Sequence, residues 1–132
     1  MARRFFQHWE PRLFDLLIPV PLHSHRLRER GFNQALLLAR ELSRRIGIPY
    51  RKRGLEKRRP TIPQVDLDGR EREKGVKGAF SLPNREDVKE KTILQVDDVY
   101  TTGTTVDECS RVLMAGGAKR VDVFTLANTL RN

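Results

Sequence analysis

The chain of 132 residues contains a single cysteine, Cys109, and no long apolar run. One thiol excludes an internal disulfide and a zinc cluster built from cysteines, so a reducing compartment is the simplest expectation. Within its predicted helix, Cys109 is expected to be a small core residue rather than a nucleophile. Charged residues interrupt residues 1–22, which leaves no signal-peptide core and no segment that could cross a membrane. We therefore expect a cytoplasmic protein.

Two common nucleotide-binding signatures are also missing. The sequence has neither the Gly-Lys-Ser/Thr of a P-loop nor a three-glycine dinucleotide pattern, which disfavours a nucleoside triphosphate as ligand. His23 and His25 do not predict a metal site, because they are two positions apart in a loop without a third ligand. The sequence has an excess of positive charge, because it contains 26 Lys and Arg residues and 17 Asp and Glu residues, which gives a net charge of +9. That balance favours phosphorylated ligands, nucleic acid or an acidic partner without choosing among them.

The most informative stretch is a strand-to-helix connection at residues 92–105. Thr92 to Val96 has the composition of a buried strand, and Val106 to Met114 has helical spacing. Asp97 and Asp98 follow the strand, and a hydroxyl-rich turn precedes the helix. That turn consists of Thr101, Thr102, Gly103, Thr104 and Thr105. A helix N-terminus offers unpaired N–H groups to a phosphate, and a glycine supplies the positive φ that a tight anion nest needs.

The acidic pair indicates what lies beside that phosphate. Carboxylates bind phosphate poorly but accept hydrogen bonds well from a vicinal diol, so Asp97 and Asp98 predict a ligand with neighbouring hydroxyls. Ribose 5-phosphate meets both demands. The alternative is an ordinary helix-entry cap followed by a solvated threonine loop. We favour the ligand site because all of its parts occur together.

A second strand-loop-helix unit precedes this one. Residues 16–20 have the pattern of a buried strand, and Gly47 ends a helix with an apolar face. The predicted face consists of Ala35, Leu38, Ala39, Leu42 and Ile46. Between strand and helix, a basic loop includes Arg26 and Arg30, for which a solvated loop is the alternative interpretation. At 132 residues the chain has room for one core but for no elaborate second substrate domain.

The segment Val96 to Thr105 resembles the phosphoribosyl pyrophosphate (PRPP) motif of type I phosphoribosyltransferases. The stretches Pro19 to Gln34 and Pro63 to Phe80 narrow the resemblance to the ComF/GntX family of competence-related proteins. This resemblance implies an α/β fold with a central, mostly parallel sheet flanked by helices and a hood that is reduced or absent. It divides the chain into an aromatic-rich lead, 1–14, and a phosphoribosyltransferase-like domain, 15–132. Family members often begin with a four-cysteine zinc module, so the front of this chain is expected to be shortened.

The resemblance also assigns roles to residues. The turn at 101–105 would hold the 5-phosphate of PRPP, and Asp97 and Asp98 would receive the ribose hydroxyls. Arg26 and Arg30 would lie in the pyrophosphate loop, and the hydrophilic loop 64–77 would close over the ligand and bring in Arg72. An ordinary charged hairpin tip is the alternative for that loop. Mg²⁺ is the expected cofactor, without direct protein ligands. Gln95, Gly75 and Thr104 depart from the family pattern.

The predicted function is transfer of phosphoribose from PRPP to an unidentified acceptor with release of pyrophosphate. The catalytic candidates are Asp97, Asp98 and Arg72. A link to DNA uptake in competence follows from the family. The alternatives are a PRPP sensor without catalysis, a nucleic-acid-binding module, and a structural partner of DNA-uptake proteins. A homodimer is a further expectation.

Overall fold

The computed structural model describes residues 13–22, 27–29, 31–58, 77–100 and 103–128. For residues 99, 100, 127 and 128 it describes the backbone only. The order of elements is β1 (Leu16–Pro19), α1 (Gln34–Ile46), β2 (Glu56–Lys57), β3 (Phe80–Ser81), a single 3₁₀ turn (Arg85–Asp87), β4 (Thr92–Tyr100), α2 (Thr104–Ala115) and β5 (Arg120–Asn128). The predicted division at residue 14 stays a prediction, because residues 1–12 lie outside the described residues.

Three parallel strands form the main sheet, in the order β1-β4-β5. Leu16 is paired with Ile93, and Thr92 with Arg120. Tyr50 extends the sheet beyond β1 through an isolated parallel bridge to Leu17. Strands β2 and β3 form a separate antiparallel ribbon. Parallel strands covered on both faces require apolar residues at successive positions, which explains the short apolar run of β1.

Helices cover both faces of the sheet, because successive strand residues alternate between two core clusters. Helix α1 packs on one face, and α2 on the other. The first cluster includes Leu17, Leu38, Leu42, Leu94, Val96 and Phe124. The second includes Leu16, Ile18, Ile93, Val106, Cys109 and Leu113. The predicted α/β arrangement of a parallel sheet flanked by helices is confirmed, and so is Cys109 as a core residue.

Helix α1 begins after a side-chain cap and ends at the predicted glycine. Asn33 caps the first turn, since its side-chain oxygen accepts a hydrogen bond from the N–H of Ala35 at 3.0 Å. Gly47 ends the helix in the left-handed region at φ 75, and its N–H donates to the carbonyl of Ser43. The predicted apolar face is confirmed: four of its members are buried, and Ile46 packs against the same cluster.

Strand β4 is longer than the sequence predicted. It continues through Asp97 and Asp98 to Tyr100, so the expectation that both aspartates follow the strand was wrong. The reason lies in β5, which supplies partners beyond Val96, including Thr125 for Asp97 and Ala127 for Val99. Within the described part of the chain, no helix has the length and apolar character needed to cross a membrane.

Candidate functional site

The topology of the sheet identifies one crevice. The chain leaves β1 through α1 and returns at Tyr50, on the outer side of β1. It leaves β4 through α2 and returns in β5, on the opposite side. Right-handed crossovers in opposite directions place α1 and α2 on opposite faces, so the loops after β1 and β4 separate from one another. Ligands of open α/β sheets bind at such a switch point, beyond the carboxyl ends of the two strands.

The loop after β1 is closed at its base by Asn33. Besides capping α1, this side chain donates from Nδ2 to the carbonyl of Val20 at 3.3 Å. Val20 is in turn joined to β4, because its N–H donates to the carbonyl of Val96 at 2.8 Å. Asn33 therefore fixes both ends of the loop against the sheet. The basic candidates Arg26 and Arg30 lie outside the described residues.

Asp97 and Asp98 lie partly buried near the carboxyl end of β4. The N–H of Asp98 donates to Oδ1 of Asp97 at 2.9 Å. Burial and a side-chain hydrogen bond with Asp98 raise the pKa of Asp97 to about 7, while the nearby ammonium of Lys57 lowers it. A carboxyl group of this kind can be protonated or ionised near neutral pH, so it can donate a hydrogen bond to a ligand hydroxyl or accept one.

Of the predicted anion-binding turn, the structure describes Gly103, Thr104 and Thr105. Gly103 is buried, adopts φ 85 and occupies the N-cap position of α2. A glycine has no side chain to accept hydrogen bonds from the first turn, so N–H groups at the helix N-terminus remain suited to an anion. Thr104 and Thr105 form the start of α2 and are half-buried. Thr101 and Thr102 lie outside the described residues.

Gln95 connects the acidic strand to the helix that follows it, a role that the sequence did not reveal. Its side chain is fully buried, and Nε2 donates to the carbonyl of Val106 at 3.2 Å and to Oγ of Ser110 at 2.9 Å. Oε1 has no hydrogen-bond partner among the described residues. The signal was present, because a glutamine in an otherwise apolar strand requires a polar partner. Gln95 thus holds the first turns of α2 against β4.

Glu108 joins α2 to the ribbon β2–β3. Its Oε2 accepts a hydrogen bond from the N–H of Gly78 at 3.0 Å, and both carboxylate oxygens accept from Arg111. The bond with Arg111 is the main cause that lowers the pKa of Glu108. At the other side of the ribbon, the N–H of Arg58 donates to the carbonyl of Ala79 at 2.7 Å. Of the predicted lid, 64–77, only Lys77 is described, and Arg72 lies outside the described residues.

The crevice therefore combines the acidic pair Asp97–Asp98, the N-terminus of α2, and the described ends of the loop after β1 and of the predicted lid. Among the described residues, no group of three or more His, Cys, Asp or Glu side chains is placed to hold a metal ion. Lys57, in strand β2, is a described cation whose charge lowers the pKa of Asp97. Its position in β2 could not be read from composition, because a two-residue strand has no periodicity.

Comparison with known proteins gives sequence relatives along most of the chain. The family called phosphoribosyl transferase domain matches residues 33–131. Competence protein F of Haemophilus influenzae is 37% identical over 117 residues, which cover 88% of this chain and 51% of that protein. DNA utilization protein YhgH of Escherichia coli is 38% identical, covering 90% and 52%. Competence protein ComFC of Bacillus subtilis is 33% identical, covering 84% and 43%. The chain thus spans about half the length of these relatives.

Solved structures share the fold. The structure described as the allosteric regulatory enzyme of purine biosynthesis is 28% identical with a TM-score of 0.58, and the match covers 86% of this chain and 22% of that one. Purine phosphoribosyltransferase from Pyrococcus horikoshii is 20% identical with a TM-score of 0.56, covering 96% and 66%. At that identity the second likeness shows the fold alone.

Proposed function

Because this chain belongs to the ComF family, whose fold is that of the phosphoribosyltransferases, we propose that its crevice binds PRPP and transfers phosphoribose to an acceptor. One observation carries the proposal: the Asp97–Asp98 pair and the Gly103 turn lie on consecutive elements at the switch point of the sheet. A diol-binding group and an anion-binding group in that order match a sugar phosphate.

Each part of PRPP has its own place in the proposed complex. Asp97 and Asp98 receive the 2- and 3-hydroxyls of the ribose. The 5-phosphate lies at the N-terminus of α2, held by the turn at 101–105. The diphosphate faces the loop after β1, whose base is fixed by Asn33. Three arginines outside the described residues would offset its charge, namely Arg26, Arg30 and Arg72.

In the reaction, a nucleophilic atom of the acceptor forms a bond to the first carbon of the ribose as the bond from that carbon to the diphosphate breaks. Pyrophosphate leaves with the electron pair, and the acceptor gives up its proton to a base. The transition state resembles an oxocarbenium ion, so the protein contributes mainly by positioning and by charge stabilisation. A pKa of about 7 makes Asp97 the better candidate for holding that proton.

The donors in the crevice fit Mg²⁺ that arrives with its ligand. The described residues supply the carboxylates of Asp97 and Asp98 but no third acidic ligand. Such a pair would hold the ion through ribose hydroxyls or water rather than by an all-protein cage. Bound there, Mg²⁺ would neutralise charge on the diphosphate.

Calorimetry with PRPP and Mg²⁺ tests the proposal. We expect Asp98→Asn to weaken PRPP binding roughly tenfold to a hundredfold, because a charge-assisted hydrogen bond to the diol is lost. Glu86→Gln is the matched control, since it makes the same carboxylate-to-amide change at an exposed site in the turn Arg85–Asp87. Wild-type protein that gives no heat with PRPP, or equal affinities for Asp98→Asn and Glu86→Gln, would contradict the proposal. Screening acceptors for pyrophosphate release then tests catalysis.

Nucleic-acid binding is the second candidate function. It is favoured by the exposed side chains of Arg51, Lys52, Arg53 and Arg58 and by relatives named for DNA utilization and competence. Binding through phosphate contacts would weaken steeply with salt and would not depend on Asp98. Measuring oligonucleotide affinity at two salt concentrations, with Asp98→Asn alongside, separates this function from PRPP binding. A link to DNA uptake, a cytoplasmic location and a homodimer remain predictions.

A further inference from the structure

A cavity of about 560 Å³ lies beside the crevice, between the segment after β1 and the segment before β2. Its walls come from Pro21 and Leu22, from the start of α1 and from residues 52–58. This volume is within the range of small-molecule sites, about 300–1,000 Å³.

One wall of the cavity is apolar and open to solvent. Leu27, Phe32 and Leu37 line it, with exposed fractions of 39%, 47% and 42%. These three are half of the six large apolar side chains that are exposed among the described residues. Their concentration around one cavity favours an apolar ligand, because exposed apolar side chains are otherwise scattered singly. Phe32 in particular offers a ring against which a planar ligand can stack.

The opposite wall is basic. Lys52, Arg53, Lys57 and Arg58 line it, and Glu56 is the one carboxylate among the lining residues that the structure describes. The side chains of Lys52, Arg53 and Arg58 form no salt bridge with any described residue. A neutral ligand would leave these cations uncompensated as it displaced their water, whereas an anionic group would be stabilised by them.

Lys57 connects this cavity to the acidic pair. It lines the cavity, its ammonium lies 5.6 Å from the centre of the Phe80 ring, and its charge acts on Asp97. The cavity and the crevice therefore share two residues, Asn33 and Lys57. A molecule in the cavity would be held next to the place where the ribose of PRPP is expected.

We propose that this cavity binds the acceptor and that the acceptor is a planar aromatic molecule bearing a carboxylate, with its ring on the Phe32 wall and its charge towards Arg53 and Arg58. The assignment to the acceptor rests on the proposed transferase function. The chemistry of the ligand rests on the cavity alone, because an inorganic anion would leave the apolar wall unused and a neutral ring would give Arg53 and Arg58 no anionic group to bind.

The test uses naphthalene-2-carboxylate as probe and naphthalene-2-carboxamide as its neutral counterpart. Each is titrated into the nitrogen-15-labelled full chain without PRPP, and amide shifts are followed by NMR. We expect the carboxylate to bind roughly tenfold more tightly than the amide, with shifts at the start of α1 and in residues 52–58. Equal affinity for the two compounds, or shifts confined to other regions, overturns the proposal.

Variants locate the two walls. Arg53→Gln is expected to weaken carboxylate binding several-fold and to leave amide binding unchanged, whereas Phe32→Ala weakens both. Arg40→Gln is the matched control, because Arg40 is exposed on α1 and does not line the cavity. If Arg53→Gln behaves like Arg40→Gln, the basic wall does not select the ligand and the proposal fails. All these side chains are exposed, so folding should persist.

Separate titrations distinguish this proposal from the one on which it rests. A chain that binds PRPP but not the naphthalene carboxylate refutes the cavity assignment and leaves the transferase function standing. A chain that binds the carboxylate but not PRPP refutes the acceptor role. A single-stranded oligonucleotide that displaces the carboxylate, with affinity falling steeply in salt, would instead make the basic wall a nucleic-acid surface and overturn the assignment.

Discussion

Replacing Asp97 by Asn is expected to stabilise the fold at neutral pH and to weaken ligand binding. The side chain lies partly buried, and its burial and its hydrogen bond with Asp98 raise its pKa to about 7. The folded state therefore favours the protonated carboxyl. The contribution of this group to stability is present below about pH 4 and is lost as the pH rises towards 7. Asn has no such loss, because it does not ionise.

The magnitude follows from the same comparison. The ordinary pKa of aspartate is 3.8, and that of Asp97 in the fold is about 7. This difference corresponds to a loss of stability of about 4 kcal/mol at most when the carboxyl group is ionised. Because the side chain is not fully buried, solvent screening reduces this, and we expect the variant to gain about 1–2 kcal/mol over the wild type at pH 8. At pH 4 the two proteins should differ little, since Asn and a protonated Asp are similar in size and polarity.

Urea unfolding at pH 4 and pH 8 measures this difference. Glu86→Gln serves as the control, because it removes an exposed carboxylate at a surface turn and should change stability by less than about 0.5 kcal/mol at either pH. The reasoning is refuted if Asp97→Asn is no more stable than wild type at pH 8, or if its effect is equal at both pH values. A gain in stability with a loss of PRPP affinity would show that the site retains an unfavourable charge for function.

Three further substitutions test the parts of the crevice. Gly103→Ala should lower stability by about 1–2 kcal/mol, because alanine is strained at φ 85, and should weaken PRPP binding. Its control, Gly47→Ala, is strained at φ 75 but lies at the far end of α1, so it should leave PRPP affinity unchanged. Asn33→Ala should lower the free energy of unfolding by about 1 kcal/mol and weaken pyrophosphate binding. Its control, Asn84→Ala, removes the cap of the turn Arg85–Asp87 and should leave pyrophosphate binding unchanged. Equal effects of the two variants on pyrophosphate affinity would refute the role of Asn33. Gln95→Met should change the free energy of unfolding by no more than about 1 kcal/mol, because the unpaired Oε1 is removed together with Nε2. It should nevertheless weaken PRPP binding, and a PRPP affinity by calorimetry equal to that of the wild type would contradict a positioning role for Gln95.

The sequence predicted the elements whose signals are local. Helix α1 carries an apolar face and a stop at Gly47, and both lie where the pattern placed them. The positive φ of Gly103 was predicted from the needs of an anion nest. The fold class followed from the strand-loop-helix repeats together with the family resemblance.

The remaining features depend on residues that are distant in sequence. Strand β4 extends beyond Val96 because β5 pairs with it, and no local pattern records the length of a partner strand. Glu108 and Gly78 are 30 positions apart in sequence, so their hydrogen bond could not be deduced from spacing. The same holds for Lys57, which lowers the pKa of Asp97 although it is distant from it in sequence. Predictions at Arg26, Arg30, Arg72, Thr101 and Thr102 remain predictions.

The hydrogen bond from Gly78 to Glu108 has a consequence for the entropy of ligand capture. Glu108 lies one turn after Thr104, so this bond ties the first turns of α2 to the chain that enters β3. A sugar phosphate held at the helix start would therefore meet a neighbouring backbone already fixed in place. Part of the ordering required for association is thus completed during folding, which leaves more of the contact free energy for affinity.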